Sequence, residues 1–484
     1  MIGTAYRGGN MDKRSLLKTA LSSFMLISLT ACGSSSSSSE KPASASSPAD
    51  PAETEPAETV PAEEESTVFA GKGTTEETVL VDEADIKITA SELTYNEYAA
   101  MMDLTFENNT DKRLVFYGGG GLSRWDTTMT VNGWAMSEDV YEDIKPGETK
   151  TEELYIRNDD LNFFGITDIA EIGFRFIVLD REAEEIYLAT DPLKITTSSA
   201  SSYDLKEDTF QKAVKDGRFA QAWEAEVREF AADNFYAQDG VNITSALLVE
   251  KDGKNYVLFE VENTTDEIRN LTWRQFGVNG LILQKTWKSN LTLDPGSRAV
   301  LRADPENMIY RDGLDSLGIN DITTAFFTVR LIDANEEPLS EETIVTIPLK
   351  DEILSGREGE ELYSNNGIRV IRSGIEDTKS FYNILLTVFN DTPDTISVKD
   401  SGKYLLVNGL QNAQDNYNVT IAPGQAGVMK VGLRKTDSSI AMDANNITPE
   451  QIETIETSLK LFKDGDDVWL GTPFDAPEIV MHLK

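Results

Sequence analysis

One cysteine and one histidine occur in 484 residues, Cys32 and His482. A lone cysteine excludes an intrachain disulfide framework. The scarcity of both types leaves no Cys/His zinc cluster and no Cys-His or Ser-His-Asp triad to expect. Basic residues are short as well: 44 Lys and Arg stand against 83 Asp and Glu, a formal charge of -39. That surface repels phosphate backbones, so no nucleic-acid partner is expected. Long apolar runs are missing too. The stretch at 19–31 is apolar or small but too short to span a bilayer. Walker, Gly-x-Gly-x-x-Gly, Gly-x-Ser-x-Gly and His-Glu-x-x-His patterns are also lacking. The four glycines at 118–121 precede Leu-Ser-Arg-Trp and read as a loop. Ser-x-x-Lys occurs at Ser15 and Ser38, but neither lies in a segment expected to fold.

What is present begins with an address. Lys13, Arg14 and Lys18 precede the apolar stretch, and Met11 reads as the true start of a secretory signal of residues 1–31. The signal ends at Leu29, Thr30, Ala31, Cys32 and Gly33. This order resembles the lipobox of bacterial lipoproteins, which implies a lipidated Cys32 as the mature N-terminus. Two or more acyl chains on that cysteine give stable anchoring on the extracytoplasmic face of the cell membrane. Residues 32–75 then read as a disordered tether. Ser, Pro, Ala, Thr and Glu dominate it, and with so little apolar surface it is not expected to fold.

The remainder carries one pattern three times. Val-Asn-Gly stands at 131–133, 278–280 and 407–409. An Asn-containing turn precedes each copy, at Asn108, Asn263 and Asn390. Pro146-Gly147, Pro295-Gly296 and Pro423-Gly424 follow. Gly-Ile-Thr-Asp-Ile at 165–169, Gly-Ile-Asn-Asp-Ile at 318–322 and Asn-Ile-Thr-Pro-Glu-Gln-Ile at 446–452 come next. From the second copy to the third, the landmarks keep an offset of about 128 residues, which marks a duplication. The first and second copies lie about twenty residues further apart, so an insertion separates them. Period-two alternation before each Asn, as in Ala100, Met102, Leu104 and Phe106, reads as half-buried antiparallel strand.

In the first copy, strands are expected near 84–95, 98–108, 113–118, 126–135, 149–157, 171–180 and 186–197. Seven short strands in such a unit suggest a two-sheet sandwich. The expected fold is therefore mainly β: three tandem antiparallel immunoglobulin-like sandwiches at 76–199, 235–350 and 351–484. A helical linker at 200–234 completes it. There Phe219, Trp223, Val227 and Phe230 recur at helical spacing, and Gly217 divides off a shorter helix bearing Phe210 and Val214. The Gly-Ile-x-Asp-Ile stretch is read as a helical turn between sheets. The units resemble immunoglobulin-like domains of bacterial, mainly Gram-positive, surface lipoproteins, although the inter-sheet cysteine pair is missing.

Asn108, Asn263 and Asn390 point inward at strand ends and are read as turn-bonding residues. Asn132-Gly133, Asn279-Gly280 and Asn408-Gly409 read as tight hairpins. Trp125, Trp134, Trp273 and Trp287 lie near the first two hairpins and form the one candidate binding platform, for sugars. Carboxylate-rich turns at 158–160 and 464–467 admit calcium but lack the EF-hand order. No other cofactor is expected. The functional expectation is a non-enzymatic, lipid-anchored extracellular protein presenting sandwich modules to an envelope protein or glycan. Carbohydrate binding, or less so glycan hydrolysis, is the alternative.

Overall fold

The computed structural model describes residues 69, 71–119, 127–283, 288–305, 313–333, 337–351, 356–400, 405–412, 418–436, 439–440, 447–463 and 472–483. It is mainly β and built from antiparallel sheets. The signal, Cys32 and residues 33–68 of the expected tether lie outside the described residues, but the end of that tether is corrected: Phe69 and Thr75 are buried against the first unit, and the Gly73 amide donates to Asp168 Oδ1 at 2.9 Å. So do Trp125 and Trp287.

Each unit closes two sheets over one apolar core. In the first unit, strands Ile86–Ala90, Ala99–Asn108 and Thr149–Arg157 form one sheet with Thr78–Glu83 and Thr94–Tyr95. Strands Leu114–Gly119, Thr128–Val131 and Glu171–Asp180 lie opposite. Alternation explains the layering: Met102, Leu104 and Phe106 are buried while Asp103 is exposed. Three clusters of buried side chains follow the three copies along the chain.

The turns carry the repeat. Asn132, Asn279 and Asn408 have φ of 50°, 49° and 50°, and the glycines after them have 82°, 76° and 77°. Two successive left-handed residues make a type I′ hairpin, whose twist matches the paired strands. The Pro-Gly turns place Gly147, Gly296 and Gly424 at φ of 68°, 70° and 74°. Proline presets the residue before.

Two expectations are corrected. Val227 and Phe230 do not continue a helix. Thr209–Asp216 and Arg218–Trp223 are helical and meet at Gly217, but Glu224 turns left-handed and Glu226–Gln238 is a strand. That strand pairs with Val241–Lys251, so the second unit begins inside the segment assigned to the linker at 200–234. Register shifts after Val227 and Ala232 interrupt the period of two, which left a helical spacing as the visible pattern. The Gly-Ile-x-Asp-Ile stretch of the first unit is a bend, not a helical turn. A helix, Asn158–Phe163, stands just before it, and Gly313–Ser316 stands before its counterpart. The strand Asp139–Ile144 was not anticipated either; its burial is patchy, so it carries little apolar signal.

Candidate functional site

A cleft and several buried charged side chains lie where one unit meets the next. The Asn-Gly hairpins build these joints. In the first, the Asn132 amide donates to the Asp168 carbonyl at 2.8 Å. Its oxygen accepts from the Ala170 and Glu171 amides at 2.8 and 3.0 Å. Asn279 makes the same bonds to Asp321, Thr323 and Thr324, and Asn408 to Gln451, Glu453 and Thr454. The side chain of the hairpin asparagine thus ties its turn to the strand entering the second sheet. A turn reading of Asn-Gly gives no sign of this second task.

The hairpin's return strand then pairs with the following unit. Trp134 faces Arg298 in a parallel pair, and the Arg298 amide donates to the Gly133 carbonyl at 2.7 Å. Leu281 and Ile282 face Ala426 and Gly427 in the same way. Both acceptor strands begin two residues after a Pro-Gly glycine. Each joint therefore continues one sheet from unit to unit, eleven strands at the first and ten at the second.

Apolar packing closes the joints. Trp134 is 1% exposed, stacks on Phe164 at 5.2 Å and donates its indole N–H to Thr209 Oγ1 at 3.0 Å. The Arg298 guanidinium lies 5.5 Å from its ring centre. Leu247, Val249 and Leu258 of the second unit belong to the first core. Ile371, Leu385, Phe389 and Val428 of the third unit belong to the second core. The tryptophan platform is corrected on this point: Trp134 and Trp273 are buried, at 1% and 3% exposed, and offer no open face for stacking a sugar. Trp273 packs on Phe327 at 6.0 Å.

Asn263 and Asn390 lie beside these joints, Asn108 holds the same place in the first unit away from them, and all three share one bonding pattern. The Asn263 amide donates to the carbonyls of Glu267 and Leu293 at 2.8 and 3.1 Å. Its oxygen accepts from the Thr265 amide and hydroxyl at 3.0 and 2.8 Å. Asn108 and Asn390 repeat these bonds with Thr110 and Thr392.

A cleft of about 320 Å³ opens at the first joint between Asn132, Gly133, Lys206, Glu262, Asn263 and Arg298. No aromatic ring lines it. Beneath it, two carboxyls are buried. Burial pushes Glu260 up to about 7, Asp208 beside it adds to the rise, and the side chains of Gln211 and Ser245 donate to it at 2.9 and 2.7 Å. Asp294, raised by burial, accepts the hydroxyl of Thr128 across the joint. In the second joint, burial lowers Lys430 to about 7 against the opposing pull of Glu376.

Enzyme-like arrangements are scarce among the described residues. Burial, and after it the charge of Asp160, raise Glu138 to about 7. No three His, Cys, Asp or Glu side chains converge on a metal position among the described residues. Asp160, in one of the turns weighed for calcium, is bonded to Arg157 at 2.8 Å. The other, at 464–467, lies outside the described residues.

No family model matches the chain, and no curated protein matches it. Among solved structures it is similar to a red sea bream transglutaminase, at 13% identity over 64% of this chain and 38% of that one, with a TM-score of 0.14. It is similar to a Bacteroides uniformis beta-glucuronidase at 11% identity over 47% of this chain and 26% of that one, with a TM-score of 0.16. A bacterial ice-binding adhesin covers more, 79% of this chain and 90% of its own, at 10% identity and a TM-score of 0.13. The chain thus spans well under half the length of the first two.

Proposed function

We propose that the protein is a non-enzymatic, lipid-anchored surface protein whose three units act as one connected scaffold on the extracytoplasmic side of the membrane. The observation that carries the scaffold is the joint. Sheets and apolar cores run from each unit into the next, so the units do not behave as beads on a string. Burying the first two hairpins removes the surface that a repeated binding loop would need. What remains open to an envelope protein or glycan is the less similar outer surface of each unit. The anchor rests on the Leu29 to Gly33 segment and the membrane contact on the acyl chains that Cys32 would carry.

Metabolic labelling with a fatty acid tests this reading in cells. The wild type should take up label and be digested by protease added outside, and Cys32→Ala should take up none. A wild-type protein that stayed unlabelled and protected in the cytosol would overturn it.

A further inference from the structure

The second joint buries three groups that can react with one another. Glu376, Asn383 and Lys430 are 1%, 2% and 4% exposed. They sit on neighbouring strands, Ile368–Asp377, Phe381–Asn390 and Ala426–Thr436. Glu376 is paired directly opposite Asn383, whose amide donates to Glu376 Oε2 at 2.6 Å. On the other side, Asn383 is paired with Gly432. A glycine leaves that place without a side chain. Lys430 is two residues away from it on the same face, opposite Leu385. Such diagonal neighbours are about 7–8 Å apart at the backbone, within the span of a lysine stem.

The trio is peculiar to the third unit. Counted from the repeat asparagines and the Pro-Gly glycines, the second unit has Val249, Tyr256 and Arg302 in these places. There Arg302 lies over the Tyr256 ring at 5.6 Å. The first unit has Met101 and an exposed Glu153. The fold thus accepts an apolar side chain, a ring and a guanidinium here. A buried amine, carboxamide and carboxyl are a different chemical choice, costly to bury unless the groups meet one another.

We propose that Lys430 and Asn383 are the two halves of an intramolecular amide cross-link, with Glu376 carrying the proton between them. The neutral Nζ of Lys430 attacks Cγ of Asn383 and forms the new C–N bond. Glu376 takes the proton that Nζ loses and returns it to Nδ2, the nitrogen it already holds. The Cγ–Nδ2 bond breaks and ammonia leaves. One amine and one primary amide become one secondary amide and ammonia, with no oxidant or reductant. Burial supports the step in two ways. It holds Lys430 near neutrality at ordinary pH, and it keeps water from competing for Cγ. The product would tie Phe381–Asn390 to Ala426–Thr436 covalently, beside the strand pairing that joins the second and third units.

Mass spectrometry of the full chain, purified and then denatured, decides the matter. The wild type should be lighter than its unlinked polypeptide by one ammonia. Its protease digest should contain one branched peptide joining the segments around Asn383 and Lys430. Lys430→Met and Asn383→Ala should each restore the missing mass and the two separate peptides. Glu376→Gln should leave the link unformed or slow it at least tenfold in a time course after refolding. If the folded wild type yields only separate peptides after prolonged incubation, the cross-link does not exist, whatever the variants do. If Glu376→Gln links at the wild-type rate, the proton-carrying role of Glu376 falls.

Discussion

At the scale of single residues, the asparagines hold more of this fold than any charged group. Asn263 is 1% exposed and bonds three carbonyls and both polar groups of Thr265. Asn263→Ala removes all of these bonds at once, two of them buried. The expected loss is roughly 2–3 kcal/mol of unfolding free energy, read from urea titrations. Glu260 supplies a different test. Its pKa rises from 4.5 to about 7 in the folded protein. Between those values the folded state binds more protons than the unfolded chain. Its contribution is therefore most favourable below about pH 4.5 and is lost as the pH rises toward 7. Relative to Glu260→Gln, the wild type should lose melting temperature across that window, and a parallel pH dependence in the two proteins would refute the assignment.

At the scale of elements, one hairpin has three fates. Leu281 is 0% exposed because the third unit covers it, and Leu410, at the same place in the last hairpin, is 41% exposed. Leu281→Ala should cost about 2–5 kcal/mol, and Leu410→Ala should stay within about 0.5 kcal/mol of the wild type. Trp134→Ala should cost about 3–5 kcal/mol, since it removes a stacked ring at a joint. If Trp134→Ala left the urea midpoint unchanged, the ring would not hold the joint. The hairpins were legible because Asn-Gly meets a local backbone demand that few other pairs meet. The strand Glu226–Gln238 was not, because its bulges scramble the alternation that reveals a strand and its partner lies beyond the next turn. Trp134 and Trp273 read more readily as core than as loop, but a ring's hydrophobicity carries no address.

At the scale of the whole molecule, the first unit differs from the others on one face. Where the later units carry Leu258 and Val300, or Leu385 and Val428, the first carries Asp103 and Thr151, both exposed. The later faces are covered by the preceding unit, whereas a terminal repeat needs a polar outer face. Asp103→Leu combined with Thr151→Val should therefore promote concentration-dependent association, seen as a rising sedimentation coefficient. Unchanged sedimentation up to high concentration would argue against the polar-cap account. Among the described residues no helix is long and apolar enough to cross a membrane, and the anchoring proposal rests on Cys32 alone.

By itself the sequence determined the mainly β class, the three copies and the turn chemistry. These depend on periodicity and on backbone preferences that a few neighbouring residues express. Only the tertiary structure decided that the first two Val-Asn-Gly hairpins are joints and that two tryptophans are buried. It also brought Glu376, Asn383 and Lys430 to one face. Each of those outcomes depends on pairing between residues distant in the chain, set by strand register and by which faces the next unit covers. Local patterns carry no record of either.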